Sequence, residues 1–457
     1  MKRHVHLVGI GGAGLSAIAR ILHERGDKVT GSDLTTSVFS QALERDGVLV
    51  SYGHRAENIA DADVIVASSA IPYDNVELQA ARRASIQILH RAAFLGELTA
   101  SSQTIAVAGT HGKTTTSGLI TWLLNAAGLS PSFVVGGMLS DFGTNARAGG
   151  GPHFVIEADE YDRTFLGLRP SVAVVTNVEH DHPDCYPTPE DFRHAFETFT
   201  HQVEDLLIVC LDDPGAASLA PAGLPRETYG LTEGSTWRAE EIRSNPVGGS
   251  DFLVLYRDET LGLVRTRLPG EHNVLNTLAA LAVSNYLDVD FNIARDVLSD
   301  FHGADRRFQI VGEVAGVIVI DDYAHHPSEI KATLRAARQR FPEATLWAVF
   351  QPHTYSRIRV LLDDFAESFT QADHVILTEI FAAREEPDPF LTGRIVADRI
   401  AHSDVQFFER LSQAAEYLMQ HVSPGSVVLT LSAGDGNQVG QLLLQGLASR
   451  EGELQDG

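Results

Sequence analysis

The chain has 457 residues, beyond the size at which one hydrophobic core stops growing, which predicts roughly two to four domains. Hydrophobic residues make up 44% and charged residues 21%, which excludes a disordered or fibrous chain. Lys and Arg number 35 against 60 Asp and Glu, a net charge of −25. So acidic a surface repels nucleic-acid phosphates and anionic lipid, so neither nucleic acid nor a membrane is expected as partner. An anionic substrate must then be met by a local basic site.

Only Cys185 and Cys210 are present, too few for a disulfide framework, so a reducing compartment is expected. Met1 to Val8 runs straight into glycines, with no apolar segment of signal-peptide type and no run of ~18 apolar residues elsewhere. The expectation is a soluble cytoplasmic protein, a monomer or weak homodimer.

Strands and helices alternate along the chain in the manner of an α/β protein. Val5–Val8 reads as a strand, and Leu15, Ile18, Ala19 and Leu22 mark one face of a helix. Between them lies Gly9-Ile10-Gly11-Gly12-Ala13-Gly14, with Asp33 after the next strand. Glycines in this setting let backbone N–H groups approach phosphate at a helix N-terminus, and the carboxylate can accept ribose hydroxyls. The fingerprint reports a nucleotide diphosphate, not NAD in particular. Val64–Ala67 continues this first α/β unit, and Thr99–Gln103 reads as a linker.

The second unit opens with the strand Thr104–Ala108 and a second loop, Gly109-Thr110-His111-Gly112-Lys113-Thr114-Thr115. Leu119, Ile120, Leu123 and Leu124 give the following helix its apolar face. Gly-Lys-Thr between strand and helix is a P-loop: backbone N–H groups cradle phosphates, Lys113 balances their charge and Thr114 can ligate Mg2+. The loop is a variant, because Val107 stands where the full pattern has its first glycine. A dehydrogenase needs a dinucleotide and no P-loop, whereas an enzyme coupling ATP to a nucleotide-tagged substrate needs both glycine loops.

Phe154-Val155-Ile156 runs into Glu157, Asp159, Glu160 and Asp162, where a P-loop fold places a magnesium ligand. After a strand at Val172–Val175 come His180, His182 and Cys185, a set that lacks a fourth ligand and the spacing of structural zinc, so a helper ligand for magnesium is the better reading. A strand follows at Leu206–Val209, and Pro214–Pro246, rich in Pro, Gly and Thr, reads as small strands or loops. Gly270-Glu271-His272-Asn273 before a helix serves either as plain caps or to hold a base or ribose. Phe301–Arg307 marks a second boundary. Beyond it lie strands at Val317–Ile320, Leu346–Phe350, Val375–Leu377 and Val427–Leu431. Three of these end in polar clusters, at Asp321–Pro327, Gln351–Arg357 and Ser432–Asn437, and ligands of open α/β sheets bind beyond such strand ends. The polar tail from Arg450 to Gly457 reads as frayed.

The two glycine loops, Glu157-Ala158-Asp159-Glu160, Glu271-His272-Asn273, Asp322–Pro327 and Phe350-Gln351-Pro352-His353 together resemble the Mur ligases of peptidoglycan precursor synthesis, over almost the whole chain and most closely the alanine-adding members. The resemblance implies three α/β domains: a Rossmann-like UDP-sugar domain at 1–100, a P-loop ATPase domain at 101–304 and a Rossmann-like amino-acid domain at 305–457. It implies that ATP, with Mg2+, drives the joining of L-alanine to the lactyl carboxylate of UDP-N-acetylmuramate. By the same resemblance Gly109 to Thr115 bind ATP, with Asn273 and Asn276 at the adenine, Arg307 at the γ-phosphate and Asp322 at the ribose. Thr114, Glu157 and His182 would ligate magnesium. Gly11, Gly12, Ala13, Gly14, Asp33, His54, Ser69 and Ala70 would hold the UDP-sugar. Lys113, His325, His353 and Arg357 would be catalytic, with His353 or His325 as base and Arg357 clamping the amino acid's carboxylate. Tyr161 departs from the Ser usual in alanine-adding enzymes and is familiar from ligases that recycle a murein tripeptide; His180 is a second departure. A nicotinamide oxidoreductase and a non-catalytic UDP-sugar sensor leave the P-loop and the strand-end acids unexplained, and a folylpolyglutamate-type ligase leaves the first loop with Asp33 unexplained.

Overall fold

The computed structural model describes residues 3–456, with side chains described to Glu451. Three sheets follow one another along the chain. The first is wholly parallel, with β1 (His4–Val8), β2 (Lys28–Asp33), β3 (Leu49–Tyr52), β4 (Val64–Ala67) and β5 (Gln87–His90) in the order β3-β2-β1-β4-β5. Its central strand, His-Val-His-Leu-Val, is buried along its whole length because helices cover both faces.

The second sheet has ten strands. They are β6 (Gln103–Ala108), β7 (Ser132–Leu139), β8 (Thr144–Arg147), β9 (His153–Glu157), β10 (Val172–Val175), β11 (Leu206–Cys210), β12 (Arg226–Gly230), β13 (Trp237–Ser244), β14 (Ser250–Tyr256) and β15 (Glu259–Arg265). The order is β15-β14-β13-β12-β11-β10-β6-β9-β7-β8, parallel in the middle and closed at its two ends by antiparallel pairs. The Pro- and Gly-rich stretch Pro214–Pro246 thus holds a short helix (Pro214–Ala217), β12 and β13.

The third sheet, β16 (Gln309–Val314), β17 (Val317–Asp322), β18 (Thr345–Phe350), β19 (His374–Thr378), β20 (Val405–Phe408) and β21 (Ser426–Leu431), has the order β16-β17-β21-β18-β19-β20, with only the edge strand β16 antiparallel. The fold is a three-sheet α/β assembly.

Two expectations are corrected. The linker is shorter than Thr99–Gln103, since Thr99 ends a helix and Gln103 begins β6. The tail from Arg450 is the last part of a helix, Gln438–Asp456, while Gly457 lies outside the described residues. Among the described residues no helix is long and apolar enough to cross a membrane.

One apolar cluster runs without a break from Val5 through the first two sheets to Ala304. The third sheet has its own two clusters, one on each face. The third domain therefore carries a complete core, and it meets the middle domain through polar side chains such as Arg357 and Glu329 and through the packing of helix Pro327–Arg340 on helix Glu271–Tyr286.

Candidate active site

β6 delivers the chain into the second glycine loop, and the helix Lys113–Ala126 leaves it. Two backbone positions require glycine. Gly112 has φ +79°, and at Gly109, with φ +136°, a Cβ would collide with Thr176 Oγ1. Lys113 Nζ donates to the carbonyls of Gly109 (2.6 Å) and Thr110 (3.0 Å) and pairs with Glu160 Oε2 at 2.8 Å. Burial alone would lower the Lys113 pKa, but the Glu160, Glu157 and Asp159 carboxylates outweigh it and raise the pKa. The ammonium is thus held charged inside the loop. Thr110 and His111 fasten the loop to the segment after β10: Thr110 Oγ1 donates to Glu179 O (2.8 Å), and the His111 N–H donates to Asn177 Oδ1 (2.8 Å).

Thr114 and Glu157 flank one stretch of β7. A Cβ on Gly136 would lie 2.7 Å from the Glu157 carboxylate, and one on Gly137 would lie 3.3 Å from the Thr114 methyl. A hydroxyl and a carboxylate are oxygen donors of the kind a hard cation takes, so the chemistry of these two residues suits magnesium, with Glu157 Oε2 here accepting the Gly136 N–H (2.6 Å). His182 is turned elsewhere: its Nε2 sits 3.2 Å from Glu160 Oε1 and 3.7 Å from Asp181 Oδ2, so it does not join Thr114 and Glu157 in this arrangement. Among the described residues His180 Nε2 bonds the Tyr186 carbonyl (2.9 Å), and no zinc-like set forms around it.

A cavity of about 400 Å³ opens between the P-loop and the third domain. His111, Gly112, Thr115, Asn273, Asn276, Arg307 and Asp322 all line it, so seven of the residues expected at ATP are brought together. Asn276 braces the loop, accepting from Thr116 Oγ1 (3.1 Å) and donating to Asn273 Oδ1 (3.1 Å). Arg307 reaches Thr114 Oγ1 at 3.4 Å. The Asp322 carboxyl accepts from the N–H groups of Phe308 (2.7 Å) and Ala324 (2.8 Å); burial dominates its pKa, pushing it up to about 6 despite Arg307 nearby. On the same rim the third domain reaches back. Glu329 caps its own helix (Pro327–Arg340) and places Oε1 3.3 Å from His111 Nδ1, while His111 Nε2 meets Glu179 Oε2 at 3.0 Å. Burial opposes charge on His111, but the Glu329 and Glu179 carboxylates prevail and raise its pKa to about 9.

The first glycine loop is built differently from its expectation in one respect. Asp33 does not stand free: Oδ2 accepts the Gly11 N–H (2.9 Å) and Oδ1 the Leu34 N–H (2.7 Å), so this carboxylate shapes the loop. Gly12 leads into the helix Ala13–Glu24, and a Cβ on Gly14 would lie 2.9 Å from the Arg91 guanidinium, which also pairs with Asp159 at 2.6 Å. Arg91 is a cation at the mouth of this loop that sequence reading missed. His54 faces Ser32 Oγ (3.1 Å) and the fully buried Glu77 (3.4 Å), and Ser69 and Ala70 lie exposed in the turn after β4.

In the third domain His325, His353 and Arg357 do meet. His325 and His353 ring centres are 5.8 Å apart, and Arg357 Nη1 donates to His353 O (2.7 Å) and contacts His353 Nδ1 (3.1 Å). Their hydrogen bonds fix the tautomers. An arginine only donates, so His353 Nδ1 is an acceptor and its proton is on Nε2. His325 Nδ1 faces the carbonyl of Tyr323 at 2.9 Å, so it carries the proton and Nε2 keeps a lone pair. Burial lowers the pKa of His325 well below 6.5 and that of His353 to about 4, so both are neutral. Arg357, expected as an open carboxylate clamp, is taken: its Nε and Nη2 hold Asp181 Oδ1 and Oδ2 at 2.8 and 3.2 Å, and both side chains are about 4–5% exposed. Asp181 comes from the middle domain, and nothing in its spacing announced this pairing. Tyr161 donates to Asp184 Oδ2 (3.1 Å) beneath Arg384, whose guanidinium lies 3.9 Å over the tyrosine ring.

Three family models match the chain in succession: the Mur ligase family catalytic domain over residues 4–103, the Mur ligase middle domain over 107–284, and the Mur ligase glutamate ligase domain over 306–434. UDP-N-acetylmuramate–L-alanine ligases of Roseiflexus castenholzii and Roseiflexus sp. are 42% and 44% identical to it, covering 98% and 97% of this chain and 98% and 99% of their own. Among solved structures, the UDP-N-acetylmuramate-alanine ligase of Thermotoga maritima superposes with a TM-score of 0.83 at 28% identity, covering 98% of this chain and 99% of its own. A murein peptide ligase from Psychrobacter arcticus gives 0.72 at 27% identity, covering 97% and 98%. With a P-loop, strand-end acids and a third α/β domain closing over both, the chain belongs to the Mur ligase family.

Proposed function

We propose that the protein joins L-alanine to the lactyl carboxylate of UDP-N-acetylmuramate at the expense of ATP, in three domains spanning 1–100, 101–304 and 305–457. The observation that carries this reading is a charged P-loop lysine of the middle domain linked, through Glu160, His182, Asp181 and Arg357, to a neutral histidine pair of the third domain. The relatives named for L-alanine ligation, similar over their whole length, support the choice of substrates.

A carboxylate is a poor electrophile, so its oxygen first attacks the γ-phosphorus of ATP, giving an acyl phosphate and ADP. Lys113, held charged by Glu160, and Arg307, which reaches Thr114 of the same loop, would neutralise charge spreading over the transferring phosphoryl group. Thr114 and Glu157 would hold Mg2+, which neutralises phosphate charge when bound. Gly109 to Thr115 would take the phosphates, Asn273 and Asn276 the adenine side, and Asp322 the ribose. Gly11, Gly12, Ala13 and Gly14, with Arg91 above them, would take the UDP diphosphate, and His54, Ser69 and Ala70 its nucleoside side. The amine then attacks the acyl carbon, the tetrahedral intermediate expels phosphate, and the amine proton leaves. His325 Nε2, with its lone pair, accepts that proton; His353, protonated at Nε2, is a donor to the developing oxyanion. The reaction sits at the first amino-acid addition of peptidoglycan precursor synthesis.

The test is mass spectrometry of the purified protein with ATP, Mg2+, UDP-N-acetylmuramate and L-alanine. One UDP-N-acetylmuramoyl-L-alanine should form per ADP. ADP without the amide, or no turnover, would contradict the reading.

A further inference from the structure

Three cations at or near the cleft are met by carboxylates of the protein. Glu160 pairs with Lys113, Glu329 approaches Arg307 to 3.8 Å, and Asp181 holds Arg357 with both oxygens. The last pair is the most complete. A guanidinium edge offering Nε–H and Nη2–H matches a carboxylate in two-point contact, and Asp181 presents that group from the opposite domain, buried against Arg357, which also contacts His353.

The carboxylate of an α-amino acid has the same shape and charge. Its amine, two bonds away, would point toward the domain that carries the ATP site. Asp181 also has a second place to go, since the His182 imidazole lies 3.7 Å from Oδ2. Asp181 Oδ1 also accepts the His182 backbone N–H (2.7 Å), so a carboxylate that leaves Arg357 keeps a hydrogen bond, which lowers the cost of breaking a buried ion pair.

We propose that Asp181 is the positioning residue of the acceptor subsite: it holds the place of the incoming α-carboxylate on Arg357, and the amino acid enters by exchanging with it. This rests on the amide-ligase reading above. The exchange selects acceptors, because only a molecule with a free carboxylate can displace Asp181, and only one with an amine beside that carboxylate can then react. Amides and amines without that carboxylate leave the subsite shut.

Removing a competitor has the opposite sign to damaging a site. If Asp181 occupies Arg357 about nine-tenths of the time, the apparent KM for the amino acid is raised about tenfold by that occupancy. In Asp181→Asn the neutral amide competes weakly, so the KM for L-alanine should fall several-fold while the KM for ATP stays within twofold. Glycine and L-serine should shift by the same factor. Propionate, a carboxylate without an amine, should inhibit competitively against L-alanine, more strongly in the variant. A merely structural Asp181 predicts a KM that rises, or a kcat that falls at unchanged KM, and either result overturns the proposal. Should Asp181→Asn fail to fold, wild-type protein decides alone: propionate must compete with L-alanine and L-alaninamide must not, and the reverse overturns it. Absence of L-alanine-dependent phosphate release from wild type would instead sink the ligase reading itself, a result distinct from a raised KM in an active enzyme.

Discussion

Lys113 shows how a single residue is made ready for phosphate. Two carbonyls of its own loop and the Glu160 carboxylate surround Nζ, so the ammonium stays charged despite its burial. Lys113→Ala should abolish phosphate release from ATP. It should also cost about 2–3 kcal/mol of stability, because Glu160 loses its main cation while His182 remains at 3.2 Å. Lys113→Ala combined with Glu160→Gln should recover the melting temperature but not the activity. Recovery of activity in the double variant would remove Lys113 from the chemistry.

At the scale of elements, the P-loop and the helix Pro327–Arg340 are tied through His111, Glu329 and Glu179. The folded His111 pKa of about 9 lies above its ordinary 6.5. Its stabilisation is therefore complete below pH 6.5 and lost as pH rises through 9. Glu179, held at about 2 against burial chiefly by its bond to His111, contributes above pH 4.5 and is lost only as pH falls toward 2. Between pH 6.5 and 9 the melting temperature of the wild type should drop more than that of His111→Gln; parallel curves would contradict the tie. Strand-to-loop junctions of this kind were legible in sequence, because an apolar run ending in Gly-Lys-Thr or in acids carries its own local signature. Edge strands were not: β15 and β16 leave Leu263 and Ile310 more than 40% exposed, so no buried run marks them. Nor were the partners of the site residues. Asp181 and Arg357 stand 176 residues apart, and local spacing says nothing about which carboxylate a distant fold brings to a guanidinium. Asp33 was visible as an acid after β2, but not that its oxygens would be spent on Gly11 and Leu34.

Over the whole molecule, the first two domains share one apolar cluster while the third has its own, so the third is the part able to move as a unit. Its contacts with the middle domain include ion pairs at positions that ATP and the amino acid would fill. Closure over both ligands should exclude water from the acyl phosphate. X-ray scattering should give a smaller radius of gyration with a non-hydrolysable ATP analogue plus UDP-N-acetylmuramate than without ligands; superimposable profiles would argue against closure. The most direct test of the central claim is phosphate release from ATP in the presence of UDP-N-acetylmuramate, comparing L-alanine with the murein tripeptide at equal concentration. Release should require both the UDP-sugar and an amine, and L-alanine should be the faster acceptor. Faster release with the tripeptide would show that Tyr161, not the Arg357 subsite, identifies the substrate, and release independent of any amine would contradict amide ligation altogether.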